Sequence, residues 1–136
     1  MTAARQGVPV RKRAGRVSVT LRSRVMPAPA SVRPPMAVEA SGLELLVRGT
    51  LSSGSLGWRL SARASCYRRT ISVEVTAVRN KERLRLGVED QVYEITLGVP
   101  RAGRYLLRVN HVWVINPELG ELLIIPTYEA PVTFQP

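Results

Sequence analysis

From Gly42 onward the chain alternates between apolar and polar residues with a period of two, the period that a pleated backbone imposes on its side chains. The plainest case follows the Gly/Pro-rich turn Gly98-Val99-Pro100-Arg101-Ala102-Gly103. Tyr105, Leu107 and Val109 then fall on one face and Arg104, Leu106 and Arg108 on the other. The same pattern marks a strand at Leu43, Leu45 and Val47, another at Trp58, Leu60, Ala62, Ala64 and Cys66, and a third at Ile71, Val73, Val75 and Ala77. Tyr67-Arg68-Arg69 joins the last two as a hairpin. Tyr93, Ile95 and Leu97 form the strand that enters the Gly98 turn. The strand leaving that turn continues to Ile115, a length that predicts a bulge or a change of inward face along it. Leu122 to Ile125 with Tyr128 to Phe134 read as a last strand, broken by Pro126 and Pro131, and prolines favour a sheet edge. Ser52 to Gly57 has the small polar residues of a loop, Arg79 to Arg83 reads as a charged connection, and Leu84-Arg85-Leu86 as a short edge strand.

No stretch keeps the i, i+3, i+4, i+7 apolar spacing of an amphipathic helix over three turns, so the expected class is all-β. Six to eight short strands suit an antiparallel β-sandwich of two sheets, because a single sheet would leave an apolar face wet. The expected core comprises Trp58, Leu60, Ala62, Ile71, Val73, Val75, Tyr93, Ile95, Leu97, Tyr105, Leu107 and Val109.

Residues 1–40 differ in composition. Arginine is interleaved with Val, Ser, Ala and Pro, and Met26-Pro27-Ala28-Pro29-Ala30 to Arg33-Pro34-Pro35-Met36 cannot propagate a helix or a central strand. The expectation is two regions: a basic, Pro-rich, disordered or extended arm over 1–40 and the sandwich over 41–136. Deleting residues 1–35 is then expected to leave the fold intact. Val17-Ser18-Val19-Thr20-Leu21 alternates and is a candidate short strand within the arm. Arg/Ala/Pro-rich leaders also arise when a reading frame is opened too far upstream, with Met26 and Met36 as the alternative starts.

The strand Gly103-Arg104-Tyr105-Leu106-Leu107-Arg108-Val109, placed after a proline-containing turn, resembles the penultimate strand of immunoglobulin-like, fibronectin type III-like and transthyretin-like sandwiches. The resemblance implies an Ig-like sandwich whose tyrosine caps the preceding turn. It also implies a binding or spacer role. Cys66 has no second cysteine to pair with, so the Cys-Trp-Cys framework of antibody domains is missing.

The formal net charge is +10 and belongs mainly to the arm: residues 1–40 carry eight basic residues against Glu39. Such a balance points to a polyanionic partner. The candidate phosphate or partner contacts are Arg11, Lys12, Arg13, Arg16, Arg22 and Arg24 in the arm, and the outward pairs Arg59/Arg63 and Arg104/Arg108 on strands. Rows of arginine facing Glu74 and Glu94 are equally explained as cross-strand ion pairs on a solvated sheet.

Catalytic chemistry finds little purchase. His111 is the only histidine and Cys66 the only cysteine, which rules out His-pair metal sites, zinc clusters of several cysteines and intrachain disulfides. The carboxylates stand singly except Glu89-Asp90, whose neighbours on a strand point to opposite faces, and the glycines form no phosphate-binding fingerprint. We therefore expect no catalytic residues, no cofactor, no metal and no small-molecule substrate. No 18-residue apolar run and no signal-peptide pattern is present, which makes a cytoplasmic location the default expectation. The expected function is a non-enzymatic structural or protein-binding module with a protein partner or self-association. The alternative is a structural protein of a nucleic-acid-containing particle, with the basic arm lying on phosphates.

Overall fold

A computed structural model describes residues 17–27, 36–56, 58–79 and 85–136. They form eight strands: β1 (Ser18–Pro27), β2 (Ala37–Ser41), β3 (Glu44–Leu56), β4 (Trp58–Tyr67), β5 (Thr70–Arg79), β6 (Arg85–Gly98), β7 (Gly103–Asn116) and β8 (Glu121–Phe134). Among the described residues there is no helix. The strands make two four-stranded sheets, ordered β1-β6-β3-β2 and β4-β5-β7-β8. The inward rows of both sheets meet in one core that includes Leu45, Val47, Ile71, Val73, Val75, Tyr93, Ile95, Leu97, Leu107 and Val109. Ten of the twelve expected core residues are buried, and Trp58 and Ala62 pack against the core while partly exposed.

Four expectations are corrected. The sandwich does not begin at residue 41: β1 pairs with β6 over ten residues, and Val17, Val19 and Leu21 are buried in the core. The alternating Val17 to Leu21 segment belongs to the sheet because the inner face of β6 needs a neighbour that supplies aliphatic side chains. Deletion of residues 1–35 would remove that strand. Ser52 to Leu56 is not a loop but the end of β3, paired with β6 across a bulge between Ser53 and Ser55. Arg85-Leu86 opens β6, an interior strand rather than an edge, while Leu84 lies outside the described residues.

The fourth correction concerns direction. All neighbours are antiparallel except β5 and β7, which are parallel (Thr70↔Leu106 to Val78↔Val114). The chain leaves β5 for β6 in the opposite sheet and then returns. Two reversals restore the original direction beside β5, as a crossover connection requires.

The turns follow from local chemistry. Arg68 and Arg69 link β4 to β5 at φ 49° and 66°, left-handed values that a two-residue hairpin of the primed type demands. Arg69 is tied down there: its guanidinium lies 4.9 Å from the Tyr105 ring centroid and donates to the Ala102 carbonyl at 3.4 Å. Tyr105 Oη in turn donates to the Arg101 carbonyl at 2.9 Å, so the tyrosine does cap the turn before its strand.

Candidate interaction surface

Among the described residues the longest exposed apolar stretch is the far end of the β7–β8 hairpin. Ile115, Leu119 and the run Leu122-Leu123-Ile124-Ile125 are all exposed, with relative exposures of 55, 50, 52 and 42% along the run and 74% at Leu119. Alternation normally hides every second strand residue, and here it hides none. Leu123 and Ile125 stand opposite Trp113 and His111 on the inner side of the sheet, whereas Leu122 and Ile124 stand opposite Val114 and Val112 on the outer side. β5 accompanies β7 as far as Val114, the partner of Leu122, so only the turn end of the hairpin beyond Val114 extends past β5, and the run itself lies on the outer edge of the sheet. The turn is held by Leu119 N–H to the Asn116 carbonyl (3.2 Å), Gly120 N–H to the Pro117 carbonyl (3.3 Å), and Glu118 N–H to Asn116 Oδ1 (3.2 Å). Gly120 takes φ 68°, which a glycine adopts without strain.

β8 is also a sheet edge. Leu106 N–H donates to the Arg69 carbonyl, on the β5 side, so Leu106 and its opposite number Pro131 exchange no hydrogen bond. Pro131 therefore occupies a position whose backbone faces outward. The register shift between Val109 and Asn110 sets Pro126 opposite Asn110, again facing out. By the same alternation the amides of Leu122 and Ile124 face outward, and these do carry N–H groups. The expected break of the last strand at its prolines gives way to a continuous strand, because both prolines sit where β7 asks for no donor. The edge is interrupted by Pro131 within Tyr128 to Phe134, whereas Leu122 to Ile124 offers outward backbone with no proline in it.

Charge divides unevenly. From Asn110 to Pro136 the chain carries Glu118, Glu121 and Glu129 and neither lysine nor arginine. The basic residues lie elsewhere, and Arg22, Arg48, Arg63 and Arg108 among them pair with carboxylates. Glu94 accepts from Arg22 Nη2 at 3.1 Å and Arg48 Nε at 3.0 Å; the Arg48 bond, then the Arg22 bond, hold its carboxyl below the usual carboxylate range. Arg63 pairs with Glu74 (3.2 Å) and Arg108 with Glu129 (2.9 Å). The ion-pair explanation of the arginine rows thus applies to Arg22, Arg63 and Arg108. Arg22 and Arg24 come together with Arg48, Val92 and Glu94 around a groove of about 430 Å³ on the outer face of the first sheet. Arg59 and Arg104 are exposed. Arg11, Lys12, Arg13 and Arg16 lie outside the described residues.

A buried polar pair is internal. His111 Nε2 and Tyr93 Oη share a 2.7 Å hydrogen bond between the sheets, with Met36 Sδ at 4.0 Å from the same hydroxyl. Burial pushes the imidazole below its ordinary pKa and the phenol far above its own. Beside them Gln91 Nε2 donates to the Trp58 carbonyl (2.7 Å), and Trp58 and Trp113 meet edge to face at 5.1 Å. Cys66 is buried, and desolvation raises its thiol pKa against the opposing influence of Arg69. Among the described residues no cluster of three or more His, Cys, Asp or Glu could hold a metal ion. Sequence reasoning missed the exposed run at Leu122 to Ile125. The signal was present as four consecutive aliphatics, a pattern that neither strand alternation nor a loop explains. Known protein families, curated proteins and solved structures were all compared with this chain, and none matches it.

Proposed function

We propose that this protein is a non-enzymatic structural or protein-binding β-sandwich module that engages a protein surface through the exposed β8 edge. One observation carries the reading: four consecutive aliphatics, Leu122 to Ile125, stand in water on both faces of an edge strand. A contiguous exposed apolar patch of this kind marks an interaction surface, since leaving it wet forfeits roughly 25 cal/mol for each Å² that a partner would cover. Glu118 and Glu121 flank the run, and the sequence from Asn110 to Pro136 holds no lysine or arginine, which disfavours an anionic bilayer or nucleic acid as its occupant. The turn-capping Tyr105 supports the likeness to Ig-like sandwiches, a class that commonly serves as binding or spacer modules. The alternative, phosphate binding by the basic residues, draws less support because Arg22, Arg63 and Arg108 already engage carboxylates.

A photo-crosslinking amino acid placed at Leu123, and separately at Arg59 on β4, tests the reading. Adducts to protein at Leu123 with none at Arg59 are the expected result. Absence of adducts at Leu123, or equal yields at the two positions, would overturn it.

A further inference from the structure

Resting on that reading, we infer that the occupant of the β8 edge is a second copy of this chain, paired antiparallel about a two-fold axis at Leu123. The backbone selects this occupant. Outward donors are available at Leu122 and Ile124 and cease at Pro126, while the hairpin turn ends at Gly120. The open stretch is therefore Glu121 to Ile125, with its two donors placed symmetrically about Leu123. A two-fold axis there sets Leu122 opposite Ile124 of the second copy and Ile124 opposite Leu122 of the second copy. Every outward N–H of the stretch then finds a carbonyl in four hydrogen bonds, and Pro126 falls opposite the second copy's turn, where pairing stops. An unrelated extended peptide could use the same donors, but its length would be limited by nothing on its own side. A second copy carries the limit with it.

The side chains agree. Leu123 meets Leu123 of the second copy on the axis, Leu122 meets Ile124, and Glu121 meets Ile125, so no like charges stand opposite each other. The pairing is isologous and closes at two, joining the two β4-β5-β7-β8 sheets into one sheet of eight strands. It also covers an edge that would otherwise template open-ended aggregation.

The axis makes the inference specific to one residue. Leu123 of the two copies form a non-hydrogen-bonded pair, whose α-carbons lie about 4.5 Å apart, within disulfide reach. In a Cys66→Ala background, Leu123→Cys is expected to form an intermolecular disulfide under mild oxidation, and Leu119→Cys is not. Leu123→Glu and Leu123→Lys are each expected to sediment as monomers at tens of micromolar, and their equimolar mixture as a heterodimer. Circular dichroism unchanged from the parent chain confirms that the variants fold, which is expected for a side chain half in water. A parent chain that sediments as a monomer at these concentrations overturns the self-pairing, as does crosslinking through position 119 in preference to 123. If the photo-crosslinker at Leu123 nevertheless captures another protein, the interaction surface stands and only its occupant changes; if it captures nothing, both fall.

Discussion

At the scale of single residues, the interior is set by two contacts that leave little room for substitution. Gly49 on β3 lies against the Tyr93 ring, and a β-carbon there would collide with the phenol. Gly49→Ala should therefore cost about 1–3 kcal/mol, the range typical of overpacking a filled core, read as a shift of the urea midpoint. The Tyr93–His111 bond supplies a pH dependence whose sign follows from burial. His111 resists protonation in the folded state, so below its ordinary value of 6.5 the unfolded chain binds more protons and stability falls as the pH drops. Tyr93 resists ionisation, so stability falls again as the pH rises above 10. The plateau between these limits should be visible in denaturant midpoints measured across pH. His111→Gln should flatten the part of the decline between 6.5 and 4.5, below which the unfolded chain begins to protonate Glu94 while the folded carboxylate, held by Arg48 and Arg22, resists. His111→Ala removes the partner of a buried hydroxyl and should cost about 1–3 kcal/mol at neutral pH in addition to its cavity.

At the scale of elements, β1 and β8 are the two strands whose character decides most. β1 delivers Val17, Val19 and Leu21 to the core, and Leu21→Ala should destabilise by about 2–5 kcal/mol in chemical denaturation. Removing residues 1–35 should have a larger effect, leaving β6 paired on the β3 side only, and far-ultraviolet circular dichroism should show loss of the cooperative transition. β8 is protected by its prolines rather than weakened by them. Replacing Pro126 and Pro131 together by threonine restores outward donors along most of the edge, and light scattering should detect faster aggregation at the same protein concentration. The Arg–Glu pairs on the outer faces are exposed, so each of Arg22→Gln, Arg63→Gln and Arg108→Gln should change stability by no more than about 1 kcal/mol.

At the scale of the whole molecule, connectivity dominates. β1 pairs with β6 across about seventy intervening positions, and the parallel β5–β7 contact joins strands that have the whole of β6 between them in the chain. Loops of this length must close before any of the pairing that repays them exists. Folding should therefore take milliseconds to seconds, as stopped-flow fluorescence of Trp58 and Trp113 would report. The charge map is also a property of the whole: an acidic, apolar hairpin end on a molecule of net charge +10 keeps the apolar edge out of the strongest positive field.

The alternation of apolar and polar residues by itself determined the all-β class, the β4–β5 hairpin, the strands at Leu45, Tyr93 and Tyr105, and ten of the buried residues, because a period of two is a local property of pleated backbone. It also exposed the shortage of catalytic groups, since one histidine and one cysteine are countable without a fold. What it could not determine was which strands stand next to each other. Val17 to Leu21 alternates too briefly to be told from an extended arm until β6 provides ten partners, and Ser52 to Leu56 has a loop's composition but becomes strand because β6 runs beside it. The parallel β5–β7 pair depends on a crossover that no local pattern encodes. The candidate surface depended on the same information: Leu122 to Ile125 reads as core by hydropathy, and only the tertiary arrangement, which puts the run on the edge strand β8, leaves those four side chains in water.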